Sequence, residues 1–198
     1  MTSKTDLRIR KSKYAIKHAF WDLLFHEEFS SITIQQIITK ANVNRATLYK
    51  YYANKFALLD SVEDDLINEF EQTTEKAPHS VIEKELNQTQ LKDYYKQMVK
   101  FIYNNGQKFY LLLTLADGNS SFANKLVAAD KKNWEKWNLA EHLPIPEHYA
   151  LSALIGMVIN LIAEWARSDF KESPEEFVLI LEKTIMPMFS QKSFFIRN

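Results

Sequence analysis

Apolar side chains recur every three or four residues along much of this chain, which is the spacing of one face of an α-helix. Residues 7–26 carry the first such pattern, with cations clustered in its first two turns. Three glycines and five prolines leave little material for the turns of a sheet, so the chain is predicted to be all-α. A longer helix is predicted from about residue 54, and its apolar stripe comprises Phe56, Leu59, Val62, Leu66 and Phe70.

The same periodicity predicts helices through the rest of the chain. The predicted segments are 80–87, 90–104, 108–116, 120–140, 147–169 and 174–189. Ser173 precedes Pro174 and stands three residues before Glu176, which is the pattern of a capped helix start. The apolar run 150–166 approaches the length of a membrane span, but it contains three polar side chains, and a buried interface helix is the better interpretation.

Two short helices are predicted between the first long helix and the one at residue 54. Ser31 or Thr33 can cap the first, which ends near Ala41, and Asn42 tolerates the left-handed conformation of a tight turn. Asn44 can cap the second, which extends to about Tyr52. Two short helices across a tight turn, after a longer supporting helix, predict a helix-turn-helix.

Charge distinguishes this first part of the chain from the remainder. The net charge of the 198 residues is zero, yet residues 1–55 hold ten Lys or Arg against four Asp or Glu, a net charge of +6. The remainder therefore carries a net charge of −6. A basic module on an acidic body is typical of proteins that bind a polyanion.

The second short helix contains the stretch RATLYKYY, which combines three tyrosines with Arg45 and Lys50. In a major groove, Ala46 can contact a thymine methyl and Arg45 can reach guanine, while tyrosine hydroxyls and lysines contact phosphates. The alternative is a helical hairpin whose tyrosines only lie on the surface.

Several classes of function find no support in the sequence. There are no cysteines, no secretory signal pattern and no nucleophile, phosphate-loop or HExxH motif, so we expect a cytoplasmic protein that is not an enzyme and has no cofactor. Glu141, His142, Glu147 and His148 could bind a divalent metal, but the prolines among them favour a solvated loop. We therefore predict no metal site.

Aromatic residues in the second part of the chain can either form its core or line a ligand cavity. No cluster of cations in this part of the sequence suggests a highly anionic ligand. The predicted effector is therefore apolar or aromatic. The candidate lining residues are Tyr95, Phe101, Phe109, Trp134, Trp137 and Trp165, with Tyr103 beside them.

The segment TIQQIITKANVNRATLYKYYANKFALL resembles the DNA-binding domain of TetR/AcrR-family transcriptional regulators, through its T-L-Y-x-Y-x-x-x-K pattern and the leucines that follow. EWARSDFKESPEEF is similar to a C-terminal pattern of one branch, in which Gly stands where this chain has Asp169. By position, the resemblance implies phosphate contacts from Thr33, Tyr49, Lys50, Tyr51 and Lys55. It implies base contacts from Arg45, Ala46 and Thr47, and a base or phosphate contact from Gln35.

The resemblance also implies a domain organisation and a mechanism. Residues 1–53 would form the helix-turn-helix domain, and residues 54–198 the ligand-binding and dimerisation domain, whose last two helices pair with a second copy. The expected protein is a ligand-responsive regulator, with repression as the default, that binds a palindromic operator in double-stranded DNA as a homodimer. An activator of the same fold, or a helical small-molecule or partner-binding protein without DNA recognition, is the alternative. No membrane partner is expected.

Overall fold

The computed structural model describes residues 4–74, 88–115, 121–136, 146–185 and 187, and these residues form nine α-helices and no strand. The predicted all-α fold is confirmed; the helix predicted at 80–87 lies outside the described residues. The helices are α1 Lys4–Leu24, α2 Ile34–Ala41, α3 Arg45–Tyr51, α4 Lys55–Thr74, α5 Gln88–Asn104, α6 Gly106–Thr114, α7 Ser121–Lys136, α8 Glu147–Arg167 and α9 Pro174–Ile185.

The chain divides into two compact units, Met1–Asp65 and Leu66–Asn198. The division falls inside α4, whereas the predicted domain boundary at 53/54 stands at the start of that helix. The structural units and the predicted domains differ only in the assignment of residues 54–65, which belong to the first structural unit but to the second predicted domain.

In the first unit, α1 packs against α2 and α3. The apolar face predicted for α1 is buried, and it comprises Ile16, Ala19, Phe20, Leu23 and Leu24. At the rim of this core, Lys40 of α2 forms an ion pair with Asp22 of α1, and the hydrogen bond from Lys40 lowers the pKa of the Asp22 carboxyl. Lys17 Nζ lies 2.6 Å from Asp65 Oδ2 and ties α1 to α4.

Local capping defines the turn between α2 and α3. Of the two predicted caps for α2, the structure uses Thr33, which forms a capping box with Gln36. Asn42 adopts the left-handed conformation at φ 51°, and Asn44 Oδ1 accepts a hydrogen bond from the Thr47 N–H at 2.7 Å. Each cap satisfies backbone groups that a helix end leaves unpaired, so the helix-turn-helix geometry is encoded locally.

The apolar stripe predicted for α4 is partly wrong. Phe56 is 58% exposed and Leu59 is half-buried, whereas Leu58 is fully buried. Leu58, Val62 and Leu66 follow an i, i+4, i+8 spacing toward the interior. Leu58 and Leu59 are adjacent, so the sequence pattern allows either of them to face the interior. The position of the neighbouring helices decides that Leu58 does.

The second unit is built from the later part of α4 and from α5 to α9. Predicted apolar positions of α5 are buried, including Leu91, Tyr94 and Met98. Ser173 caps α9 through a capping box with Glu176, and hydrogen bonds from the Ser173 backbone and side chain lower the pKa of that carboxyl. In the described part of the chain, only His148–Arg167 is long and apolar enough to cross a membrane, a test that core helices of soluble proteins also pass.

The corner between α8 and α9 contains two residues in the left-handed region, Asp169 at φ 57° and Phe170 at φ 53°. This conformation costs L-residues about 1–2 kcal/mol each. The Phe170 ring packs edge-on against Trp165, with 5.0 Å between ring centroids, and it also lies against the start of α6. Packing of this ring holds the strained corner in place.

Gly106→Ala is expected to lower the free energy of unfolding by about 1–3 kcal/mol because the new methyl group would overpack the corner. A Cβ at residue 106 would stand 2.9 Å from Phe170 Cε2. Urea unfolding at one protein concentration measures the change. In a Phe170→Ala background the same substitution should be nearly neutral; an equal cost in both backgrounds would show that the ring is not responsible.

Candidate nucleic-acid interface

Helix α3 presents one polar face to solvent and anchors the opposite face in the first unit. Leu48 is fully buried and Tyr52 is 5% exposed. Four of the predicted contact residues are exposed on the outer face, namely Arg45, Ala46, Tyr49 and Lys50. Since α3 is seven residues long and attached through its buried side, its outer face can enter a groove without disturbing the core.

Arg45 and Tyr49 form a contact pair on this face. The Arg45 Nη2 atom lies 3.4 Å from Tyr49 Oη, and the guanidinium carbon is 5.5 Å from the centre of the tyrosine ring. The four-residue spacing brings the two side chains together on the helix surface. A guanidinium has five N–H donors, so this contact orients Arg45 and leaves donors for a base edge.

Tyr51 lies between two lysines at the side of α3. The Lys13 Nζ atom is 5.4 Å and the Lys50 Nζ atom 5.8 Å from the centre of its ring. Lys13 belongs to the basic start of α1, but sequence reasoning did not include it among the contact residues. Only the packing of α1 beside α3 reveals that its charge adds to the same surface.

Thr33 and Gln35 use polar side-chain groups for hydrogen bonds at the cap of α2 or within it. The Thr33 hydroxyl donates to Gln36 Oε1 at 2.7 Å, while the exposed Gln35 donates from Nε2 to Thr39 Oγ1 at 3.3 Å. Thr47 is half-buried in the first turn of α3. The predicted DNA contacts of these residues stay predictions, and Thr33 would have to give up a bond of its cap to donate to phosphate.

Lys55, which is predicted to contact phosphate, makes hydrogen bonds within the first unit. Its Nζ atom donates to the carbonyl oxygens of Phe29, Ser30 and Ile32 at 2.8, 3.0 and 3.0 Å. The ammonium also lies 4.7 Å from the centre of the Phe29 ring. An ammonium has three N–H donors, and all three are directed at the turn before α2. Lys55 therefore holds this turn in the DNA-free chain, and its phosphate contact stays a prediction.

Three of the residues predicted to line a ligand cavity make aromatic contacts among the described residues. Phe101 and Phe109 meet edge-on, with 6.2 Å between ring centroids. Trp165 stacks on Phe177 at the α8–α9 corner, and its indole N–H donates to the Glu172 carbonyl at 2.9 Å. These three side chains contribute to the packing of the second unit. Nothing is described of the Trp134 side chain or of Trp137.

Tyr95 is the one predicted lining residue with an unused polar group in the described interior. Its side chain is fully buried, and its hydroxyl has no hydrogen-bond partner among the described residues. Burial raises the pKa of this hydroxyl well above its ordinary value, and the nearby Asp130 and Glu182 raise it further. The neighbouring Tyr94 Oη donates to Asp130 Oδ1 at 2.6 Å, so a small polar cluster lies within an apolar interior.

The candidate metal ligands of residues 141–148 lie only partly among the described residues. Within the ranges that the structure describes, no three His, Asp or Glu side chains are grouped as a metal site requires. Residues 141–145 of the candidate loop lie outside the described residues, and His148 is exposed. The prediction of no metal site therefore stays a prediction.

Three known proteins illustrate the similarity. The HTH-type transcriptional regulator YxbF of Bacillus subtilis strain 168 is 40% identical over 58 residues, which cover 29% of this chain but only 15% of YxbF. A TetR transcriptional regulator from Streptococcus agalactiae 2603V superposes with a TM-score of 0.69 at 25% identity, covering 91% of this chain and 97% of that one. NalD of Pseudomonas aeruginosa shares the fold, with a TM-score of 0.70, 15% identity and coverage of 93% and 98%.

Two family models match the chain, one in each of the two compact units. The model for bacterial regulatory proteins of the tetR family matches residues 18–62, which contain the helix-turn-helix. A model for the C-terminal region of transcriptional regulators of this family matches residues 89–187. The matches agree with the exposed recognition helix and the helical second unit, and the chain belongs to the TetR family of DNA-binding transcriptional regulators.

Proposed function

We propose that this protein represses transcription by binding a roughly palindromic operator as a homodimer and that it releases the operator when a small molecule binds the second unit. The observation that carries the proposal is the outer face of α3, where Arg45, Ala46, Tyr49 and Lys50 are exposed together beside the basic start of α1. These are side chains suited to base edges and phosphates.

The proposed reading of DNA divides these residues by chemistry. Arg45 and Ala46 read bases in the major groove, and Thr47 lies beside them. Tyr49, Lys50, Tyr51 and Lys13 contact the phosphate backbone and fix the register of the helix. Lys13 belongs to α1, so the proposed interface extends beyond α2 and α3.

The proposed dimer uses the exposed face of α8. Ser152, Ala153 and Asn160 are exposed on this face, and a Cβ built on Gly156 meets no atom within 4 Å. Small side chains allow two helices to approach closely and pack. Pairing of α8 and α9 with their copies would place two α3 helices about one helical turn or more apart along the duplex.

The proposed effector acts by differential affinity. A ligand that prefers the arrangement of the second unit found in the DNA-free protein shifts the population away from the DNA-competent state. NalD is described as a repressor of a multidrug efflux pump, and repression is the default here as well. An activator of the same fold is the alternative.

A helical ligand- or partner-binding protein that has lost DNA recognition is the competing function. It would share the second unit but would not need the exposed cations and tyrosines of α3. The proposal includes no catalytic activity, and it places the protein in the cytoplasm because its operator is genomic DNA.

In vitro selection from random duplex DNA tests the proposal directly. We expect enrichment of an inverted repeat, and for a protein contacting six to ten phosphates the affinity should fall by about 10³–10⁵-fold between about 50 and 200 mM salt. Failure to enrich any duplex, together with binding that is insensitive to salt, would favour the helical binding protein without DNA recognition.

Arg45→Ala is expected to cost about 1–3 kcal/mol of binding at one or two base positions because Arg45 is proposed to contact a base edge. The measurement is the affinity for the selected operator and for a set of single-base variants. Lys50→Met is the matched control and should weaken all sequences alike. If Arg45→Ala also weakened every sequence equally, Arg45 would be a phosphate contact.

A further inference from the structure

A groove of about 590 Å³ lies between α5 and α9 in the second unit. One wall is formed by three lysines of α5 at four-residue intervals, and the other by apolar side chains of α9, with an aromatic ring at one end. The residues that define it are Lys92, Lys96, Lys100, Tyr103, Val178 and Leu179. We propose that this groove binds an amphipathic organic carboxylate, with its charged head at the lysines and its apolar body against α9.

The cationic wall follows from the helical repeat. Residues four apart lie one above the other on a helix, about 5–6 Å apart between Cβ atoms, so the three lysines form a row. Like charges in such a row repel one another. An anion between two of the ammonium groups removes this repulsion and gains charge-assisted hydrogen bonds.

Acidic neighbours compensate the row only in part. Lys92 pairs with Glu182 at 3.0 Å, and Lys96 pairs with Asp93 at 3.1 Å. Within the described part of the chain no ion pair to Lys100 is formed, and Glu175 is the one acidic side chain among the described residues that line the groove. The lining residues themselves comprise three lysines and one glutamate, and Lys100 is the lysine without an ion pair among the described residues.

The apolar wall supplies the second half of the ligand's chemistry. Leu179 is 45% exposed and Tyr103 is 47% exposed. Covering such apolar surface removes it from water, which is favourable. An inorganic anion would leave this wall in water, and an uncharged apolar molecule would leave the lysines without a partner. A carboxylate on an apolar body satisfies both walls.

The size of the groove favours a small molecule over a protein segment. Ligand pockets generally enclose about 300–1,000 Å³, and the groove falls within this range. It differs from the site predicted from the sequence, because the aromatic lining proposed there included no lysine. The inference concerns the ligand response of the proposed function, but binding in this groove can be measured without DNA and stands or fails separately.

Calorimetric titration of the full-length protein with octanoate and with 1-naphthoate tests the proposal. We expect at least one of these carboxylates to bind with one site per chain, and acetate and 1-octanol to bind at least about tenfold more weakly, since each satisfies only one wall. In Lys96→Gln/Lys100→Gln the dissociation constant should rise by about five- to tenfold, as expected for partly exposed ion pairs. Lys183→Gln, on α9 outside the groove, is the matched control and should change nothing.

Three results would overturn the proposal. The first is that neither carboxylate binds. The second is that the double lysine variant binds as well as the unaltered protein, which would place the carboxylate elsewhere. The third is that Leu179→Arg changes the oligomeric state in light scattering, which would show that a second copy of the chain occupies the groove. All substituted side chains are solvent-exposed, so these variants are expected to fold.

Discussion

Gly156→Arg is expected to convert the proposed dimer into monomers and to lower the affinity for a two-half-site operator by at least about 100-fold. Gly156 lies in the middle of α8, and within a single chain a Cβ there meets no atom within 4 Å. The folded chain can therefore accommodate the arginine, whereas a helix packed on this face cannot. Linking two DNA-binding domains commonly raises affinity by about 10²–10⁴-fold. A monomer loses this gain.

Light scattering gives the oligomeric state of this variant, and titration of the selected operator gives its affinity. Asn124→Arg is the matched control. Asn124 is also exposed on a helix, but it belongs to α7 and lies outside the proposed dimer interface. The control should remain dimeric and bind normally. If the Gly156→Arg variant remained a dimer with full operator affinity, the exposed face of α8 would not be the dimer interface.

Lys55→Met is expected to lower the free energy of unfolding and to weaken binding of every DNA sequence without changing the salt dependence. Lys55 donates three hydrogen bonds to the turn before α2. Hydrogen bonds to charged groups contribute about 1.5–3 kcal/mol each, and because the three share one ammonium we expect a total loss of about 2–4 kcal/mol. Without these hydrogen bonds the turn before α2 is less stable. The position of the helix-turn-helix is then less well defined.

Lys50→Met provides the contrast that separates positioning from phosphate contact. Lys50 is exposed on the outer face of α3, so its loss should leave stability nearly unchanged and lower the salt slope by about one for each half-site. Urea unfolding and operator titrations at several salt concentrations measure both quantities. Should Lys55→Met prove fully stable and reduce the slope as Lys50→Met does, Lys55 would be the phosphate contact that its sequence position predicts.

The helix-turn-helix was predictable because its determinants are local. Thr33, Asn42 and Asn44 each act on backbone groups within a few residues, so their identity is sufficient to place the ends of α2 and α3. The buried face of α1 was equally predictable from its periodicity. The outer face of α3 follows from the helical repeat, because Leu48 and Tyr52 are buried on the opposite side.

Predictions that depended on contacts between distant segments were less successful. Phe56 and Leu59 satisfied the helical pattern of α4, yet Leu58 is the buried residue, because the position of the neighbouring helices selects the register. Lys55 carries the charge expected of a phosphate contact, and only the structure shows that its ammonium also donates to the turn 26 residues earlier. The groove beside the α5 lysines was not predicted because it exists only where α9 packs beside α5.

The sequence by itself determined the helical class, the capped turn between α2 and α3, and the basic character of the first unit. All three depend on interactions between residues close in the chain or on composition. Only the tertiary structure decided which cations remain available to a ligand and which aromatic residues pack into the interior. Those properties depend on the groups that distant segments bring within a few ångströms, and no local pattern specifies that neighbourhood.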